Sequence, residues 1–91
     1  MARVELRVGG RAYALACRDG DEPRLQALGQ ALDARAADLQ RRLGQQTESE
    51  LLFALAVTVA DELEEARARL VRAAERVEAA AAALERHAAA S

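Results

Sequence analysis

Thr47-Glu48-Ser49-Glu50-Leu51-Leu52-Phe53-Ala54-Leu55-Ala56-Val57-Thr58-Val59-Ala60 is the stretch whose reading decides the fold. Its first four residues form a capping-box pattern, with Thr47 as N-cap and Glu50 placed to reach back to it. The run 51–60 that follows is apolar on every face if it is helical, and such a helix must be covered all round. Further on, Leu63, Leu70, Val77 and Leu84 recur at steps of seven, with Ala66, Ala73 and Ala80 at the complementary seam positions. That is the spacing of a helix that wants a partner helix. One long helix is therefore expected over 47–91, with a frayed tail at Ala88-Ala89-Ala90-Ser91. The remainder of a 91-residue chain cannot supply both the cover and the seam partner, so the element reads as an oligomerisation device.

Upstream of it the period changes. Residues 3–8, Arg-Val-Glu-Leu-Arg-Val, alternate polar and apolar, as a half-buried strand does, with Val4, Leu6 and Val8 facing inward. Gly9-Gly10 permits the positive φ angles of a tight hairpin turn. Residues 11–17 alternate again and place Tyr13, Leu15 and Cys17 on one face. A two-stranded hairpin is barely stable alone. Its apolar face must lie on a helix, its edges must pair with another copy, or both. Asp21 or Glu22 then opens a helix with Pro23 in its first turn. Leu25, Leu28, Leu32, Ala36, Leu39 and Leu43 recur at steps of three and four, which makes 22–43 amphipathic. Gly29 costs that helix ~1 kcal/mol against alanine, a cost that a close backbone contact would offset. Gly44 is placed to end it in the left-handed conformation. The fold class is α+β: a head over 1–46, made of hairpin 3–17 and helix 22–43, and a long coiled-coil helix, or stalk, over 47–91.

Composition narrows the function. Two aromatic side chains and 24 alanines give this chain little bulk for a core of its own. All 13 basic residues are arginine, against 15 acids, for a net charge of −2. So balanced a chain has no global pull on nucleic acid or anionic lipid. Cys17 is the single cysteine, which excludes an internal disulfide and suits a reducing compartment. The N-terminus lacks the apolar core of a secretion signal, and the apolar run 51–60 is half the length of a membrane span. A cytoplasmic protein without membrane insertion is expected.

No catalytic set, cofactor site or metal site emerges from the residues, so neither an enzyme nor a small-molecule substrate is expected. His87 is the lone histidine, near a fraying end. The acids Asp61, Glu62, Glu64 and Glu65 fit a solvated coiled-coil face better than a carboxylate metal site. Gly9-Gly10 leads into a strand, not into the helix a phosphate loop requires. Cys17 falls on the apolar strand face, as a structural thiol does. Arg11, just after the turn, and Arg41-Arg42, in the last turn of the first helix, stand out as basic head residues. Solvation and complementing of the helix dipole would also account for them.

Gly10-Arg11-Ala12-Tyr13-Ala14-Leu15-Ala16-Cys17 resembles the Gly-Arg-x-Tyr-x-Leu-x-Cys strand of the ZapA family of bacterial cell-division proteins. Leu51-Leu52 through Ala56-Val57-Thr58-Val59-Ala60-Asp61-Glu62-Leu63 is similar to that family's Leu-Leu…Ala-Leu-x-Leu-Ala-Asp-Glu-Leu segment. The likeness covers residues 3–65. It implies a non-enzymatic protein at the mid-cell division ring that binds FtsZ, a tubulin-like GTPase, and cross-links or bundles its filaments. It further implies a dimer through the heads and the start of the long helix, and an antiparallel dimer of dimers through the stalks. On that reading Leu51, Leu52, Phe53, Leu55, Val59 and Leu63 form the dimer core, and Leu70, Val77 and Leu84 continue the stalk seam. Arg11 matches the arginine of the Gly-Arg motif, and Arg42, beside Arg41, falls near a second basic position, so these three are the FtsZ-contact candidates. With one large seam residue per heptad, dimer and tetramer are both open. The alternative is a homo-oligomeric adaptor whose head binds a different protein.

Overall fold

The computed structural model describes residues 1–90. Strands β1 (Ala2–Val8) and β2 (Arg11–Cys17) form an antiparallel hairpin, followed by helix α1 (Glu22–Leu43) and helix α2 (Glu48–Ala90). This is the α+β order read from the sequence. The chain divides into two units: Met1–Val57, which holds the hairpin, α1 and the first turns of α2, and the rest of α2 from Thr58 onward.

Gly9 and Gly10 have φ of 62° and 83°, the two positive values that a two-residue turn between twisted strands demands. The turn sets the register Val8↔Arg11, Leu6↔Tyr13, Val4↔Leu15, Ala2↔Cys17, so these eight residues share one sheet face. Within that face Val4, Leu6, Val8 and Cys17 are buried and Tyr13 half-buried, while Leu15 remains 44% exposed. The asymmetry follows from α1, which packs on β1 rather than across both strands.

Gly29 explains how α1 comes so close. A Cβ built on it would lie 2.9 Å from the Leu6 Cδ2 and 3.3 Å from the Leu6 Cβ. The core-facing line of α1 is Leu25, Gly29, Leu32, Ala36 and Leu39. Leu28 and Leu43, expected on that face, are about half exposed instead: Leu28 lies to one side of the line, and Leu43 lies beyond the hairpin in the last turn. One cluster joins Val8, Ala36, Leu39, Leu51 and Leu55, and a second joins Val4, Leu6 and Cys17. Gln26 Nε2 donates to the Glu5 carbonyl at 3.2 Å, satisfying part of the outer edge of β1.

The helix ends follow local chemistry. Asp21 is the N-cap of α1, but its side chain makes no capping bond. Its carbonyl accepts from Leu25 N–H at 3.0 Å, and Pro23 sits in the first turn. Gly44 has φ 76° but ψ −154°. The expected left-handed cap is thus corrected to an extended conformation at positive φ, essentially open only to glycine. Gly44 N–H still closes on the Gln40 carbonyl at 3.1 Å. At the start of α2 the capping box forms in both directions: Glu50 N–H donates to Thr47 Oγ1 at 3.1 Å and Thr47 N–H donates to Glu50 Oε1 at 2.9 Å. From Thr58 onward α2 carries Leu63, Leu70, Val77 and Leu84 half to two-thirds exposed or more.

Two stability measurements check this account. Gly29→Ala gains ~1 kcal/mol of helix propensity but overpacks Leu6, which typically costs about 1–3 kcal/mol, so urea unfolding should show a net loss. The Thr47 backbone N–H, and then its side chain, hold the Glu50 carboxyl below its ordinary value of 4.5. A carboxyl whose pKa falls on folding contributes above its unfolded value, and that contribution is lost as pH drops through the folded one. Glu50→Gln should therefore modestly destabilise the fold at neutral pH, and the gap to the parent chain should close in acid.

Candidate protein-interaction site

The turn end of the hairpin gathers pieces of every element. Gly9 N–H donates to Asp33 Oδ1 of α1 at 3.0 Å. A Cβ at Gly9 would lie 2.7 Å from Leu51 Cδ2 of α2, 3.7 Å from Gln40 Nε2 and 3.9 Å from the Ala36 Cβ. The turn, the second half of α1 and the first turn of α2 thus meet at one end of this unit. The three basic candidates are all found on the elements that meet there.

Each of them already has an acid. Arg11 Nε lies 3.1 Å from Glu48 Oε2, at the start of α2. Arg41 Nη2 lies 3.5 Å from Asp38 Oδ1, and Arg42 Nε lies 3.3 Å from Asp38 Oδ2, so a single carboxylate faces both. All of these side chains are about half exposed or more, and exposed pairs of this kind contribute little to stability. Their effect is on the surface: it carries a mosaic of both signs, with arginines oriented and still open to solvent.

Glu48 has a second partner, to which no sequence pattern pointed. It hydrogen-bonds the Tyr13 phenol. Burial is the largest cause of a Tyr13 pKa above its ordinary value of 10.0; the Glu48 bond and charge raise it further and Arg11 opposes them. Asp38 was legible: three and four residues before Arg41 and Arg42, it lies on their helix face. Glu48 was not, because only the folded hairpin brings Arg11 and Tyr13 to it.

Leu51 and Leu55, two of the proposed dimer-core residues, are buried inside the protomer. Leu52, Phe53, Val59 and Leu63 are exposed, Phe53 by 73%. Leu70, Val77 and Leu84 lie exposed along α2. An apolar groove on the inner face of the hairpin is lined by Leu6, Val8, Tyr13, Leu15, Leu32, Leu52 and Leu55. His87 stands in the last turn of α2. Among the described residues no three His, Cys, Asp or Glu side chains are grouped so as to hold a metal ion, and no helix is long and apolar enough to cross a membrane.

Paired surface charges and uncovered apolar side chains, on a small head followed by a helical seam, define a protein-interaction module. The family model described as Cell division protein ZapA matches residues 4–90, and the chain belongs to this family. No curated protein and no solved structure matches it.

The single tyrosine makes the hub at Glu48 measurable. Glu48→Ala removes the acceptor and its charge, so phenolate absorbance should titrate at lower pH than in the parent chain. Folding raises the Tyr13 pKa, so the interactions behind the shift contribute in full below the unfolded value and are lost as pH rises through the folded one. In the parent chain, stability should accordingly fall on the alkaline side as the phenol ionises; in Glu48→Ala this fall should be smaller.

Proposed function

We propose that this chain is a non-enzymatic cell-division regulator that binds FtsZ and cross-links or bundles its filaments at the mid-cell ring in the cytoplasm. The observation that carries the reading is the family match across residues 4–90. The heads are the binding ends. Arg11, Arg41 and Arg42 supply the contacts, each exchanging an intramolecular carboxylate for one on the acidic filament. The exchange keeps each single contact weak, and repetition along a polymer makes weak contacts useful.

Cross-linking requires more than one head per particle. Exposed Leu52, Phe53, Val59 and Leu63 support self-association near the head, and Leu70, Val77 and Leu84 support pairing of stalks in an antiparallel dimer of dimers. Such a particle carries heads at both ends. The balanced surface, with a net charge of −2, supports a protein partner over nucleic acid.

Adding the purified chain to polymerised FtsZ at moderate salt should increase the polymer pelleted at low centrifugal speed. An unchanged pellet at several-fold excess would overturn the reading in favour of an adaptor for another protein. Arg11→Glu should weaken pelleting, by about 1 kcal/mol or roughly fivefold per head, while light scattering returns the parent mass.

A further inference from the structure

The outer edge of β1 is open, and its charges follow a pattern. In a two-residue hairpin the pair flanking the turn, Val8 and Arg11, is hydrogen-bonded, so even-numbered positions of β1 face β2. The N–H and C=O groups of Arg3, Glu5 and Arg7 therefore point away from the sheet. Gln26 Nε2 of α1 takes the Glu5 carbonyl at 3.2 Å, as the N–H of a neighbouring strand would. No other hydrogen bond among the described residues reaches these groups. A groove of about 330 Å³ runs beside the edge, between Glu5, Leu6 and Arg7 of β1 and Gln26, Gln30 and Asp33 of α1. The side chains of Arg3, Glu5 and Arg7 alternate with the buried ones and are all exposed. Same-face neighbours on a strand lie about 7 Å apart. Among the described residues no ion pair involves any of the three. In this they differ from Arg11, Arg41 and Arg42, each of which already has an acid.

We propose that this edge takes up an extended segment of a different protein as an added antiparallel strand, one whose outward side chains alternate acid, base, acid opposite Arg3, Glu5 and Arg7. In strand addition of this kind the main-chain bonds supply affinity and the alternate side chains supply selectivity. Arg3, Glu5 and Arg7 would each form a hydrogen-bonded pair with the segment, which satisfies the free edge groups and joins Gln26 at the Glu5 carbonyl. Opposite charges directly across such a pair stabilise it, and like charges destabilise it. A second copy of this edge is a poor match. Full antiparallel overlap about Glu5 sets Glu5 on Glu5 and each Arg3 against an Arg7, and a shifted register restores opposite charges only by shortening the ladder. Charges on an edge ordinarily discourage indiscriminate pairing; here they also specify what can pair. The strip uses none of Arg11, Arg41 and Arg42, so the proposal goes beyond filament binding and does not depend on it.

Synthetic peptides test the pairing on the full chain, read by the anisotropy of an N-terminal fluorophore. The matched peptide is Thr-Glu-Thr-Lys-Thr-Glu-Thr. Its charge-exchanged form is Thr-Lys-Thr-Glu-Thr-Lys-Thr. A third form carries N-methyl groups on both glutamates, which removes main-chain donors and keeps every charge. The matched peptide should bind at least ~10-fold more tightly than either control. The triple variant Arg3→Glu, Glu5→Arg, Arg7→Glu, changed only at exposed positions, should reverse the preference between the two charge patterns. Equal binding of the N-methylated form overturns strand addition. Equal binding of the exchanged form, or a preference that does not follow the variant, overturns the charge match. No binding of the matched peptide at millimolar concentration overturns the proposal as a whole. Light scattering on the same samples covers the remaining occupant: a fall in mass on adding the matched peptide means that the edge belongs to a second copy, which also overturns it. FtsZ is absent throughout, so the pelleting assay is read independently.

Discussion

Beside Leu6, position 29 must carry no side chain. Only that absence lets α1 approach β1 closely enough for Val4, Leu6 and Val8 to be buried against it. With two aromatic residues in the chain, close approach substitutes for bulk: Ala36 is fully buried with a single methyl group, and no large side chain is fully buried anywhere among the described residues. Cores of small residues gain from short interelement distances what they lack in volume, since dispersion contacts fall off steeply with any gap. The same economy leaves the other half of the sheet bare. α1 is one helix wide and covers β1, which leaves Leu15 on the β2 side open.

The distribution of charge follows a related logic. Among the described residues no charged side chain is buried, and the ion pairs lie on the surface, where they orient side chains more than they stabilise the fold. Arg11 is directed across the turn end by Glu48; Arg41 and Arg42 share Asp38. Arginine suits such a surface because its planar guanidinium can bond one carboxylate and still offer donors to another.

Much of this was legible in the sequence because it rests on local rules. The strand period, the Gly9-Gly10 turn, the Thr47/Glu50 box and the bounds 22–43 of α1 each depend on residues within a few positions of one another. What the sequence left open depends on contacts between distant segments. Gly29 was visible as a cost, but its reason, Leu6, lies on another element. Leu28 matches the helical period as well as Leu25 does; the width of the hairpin, not the period, left it outside. Arg11 could be picked out as a basic head residue, whereas its tie to Glu48, and the tie of Tyr13 to the same carboxylate, arise only once the turn has met α2.

That meeting point bears on the order in which the head assembles. Gly9 N–H donates to Asp33 of α1, and Gly9 lies close against Leu51 of α2, both far along the chain. The hairpin and the capping box need only neighbours and can form early. The junction at Gly9 needs two large loops closed at once, and their entropy is lost before any contact compensates it. The closure that brings Leu51 over the turn spans the longer of the two loops, so it carries the greater entropic cost of assembling the head.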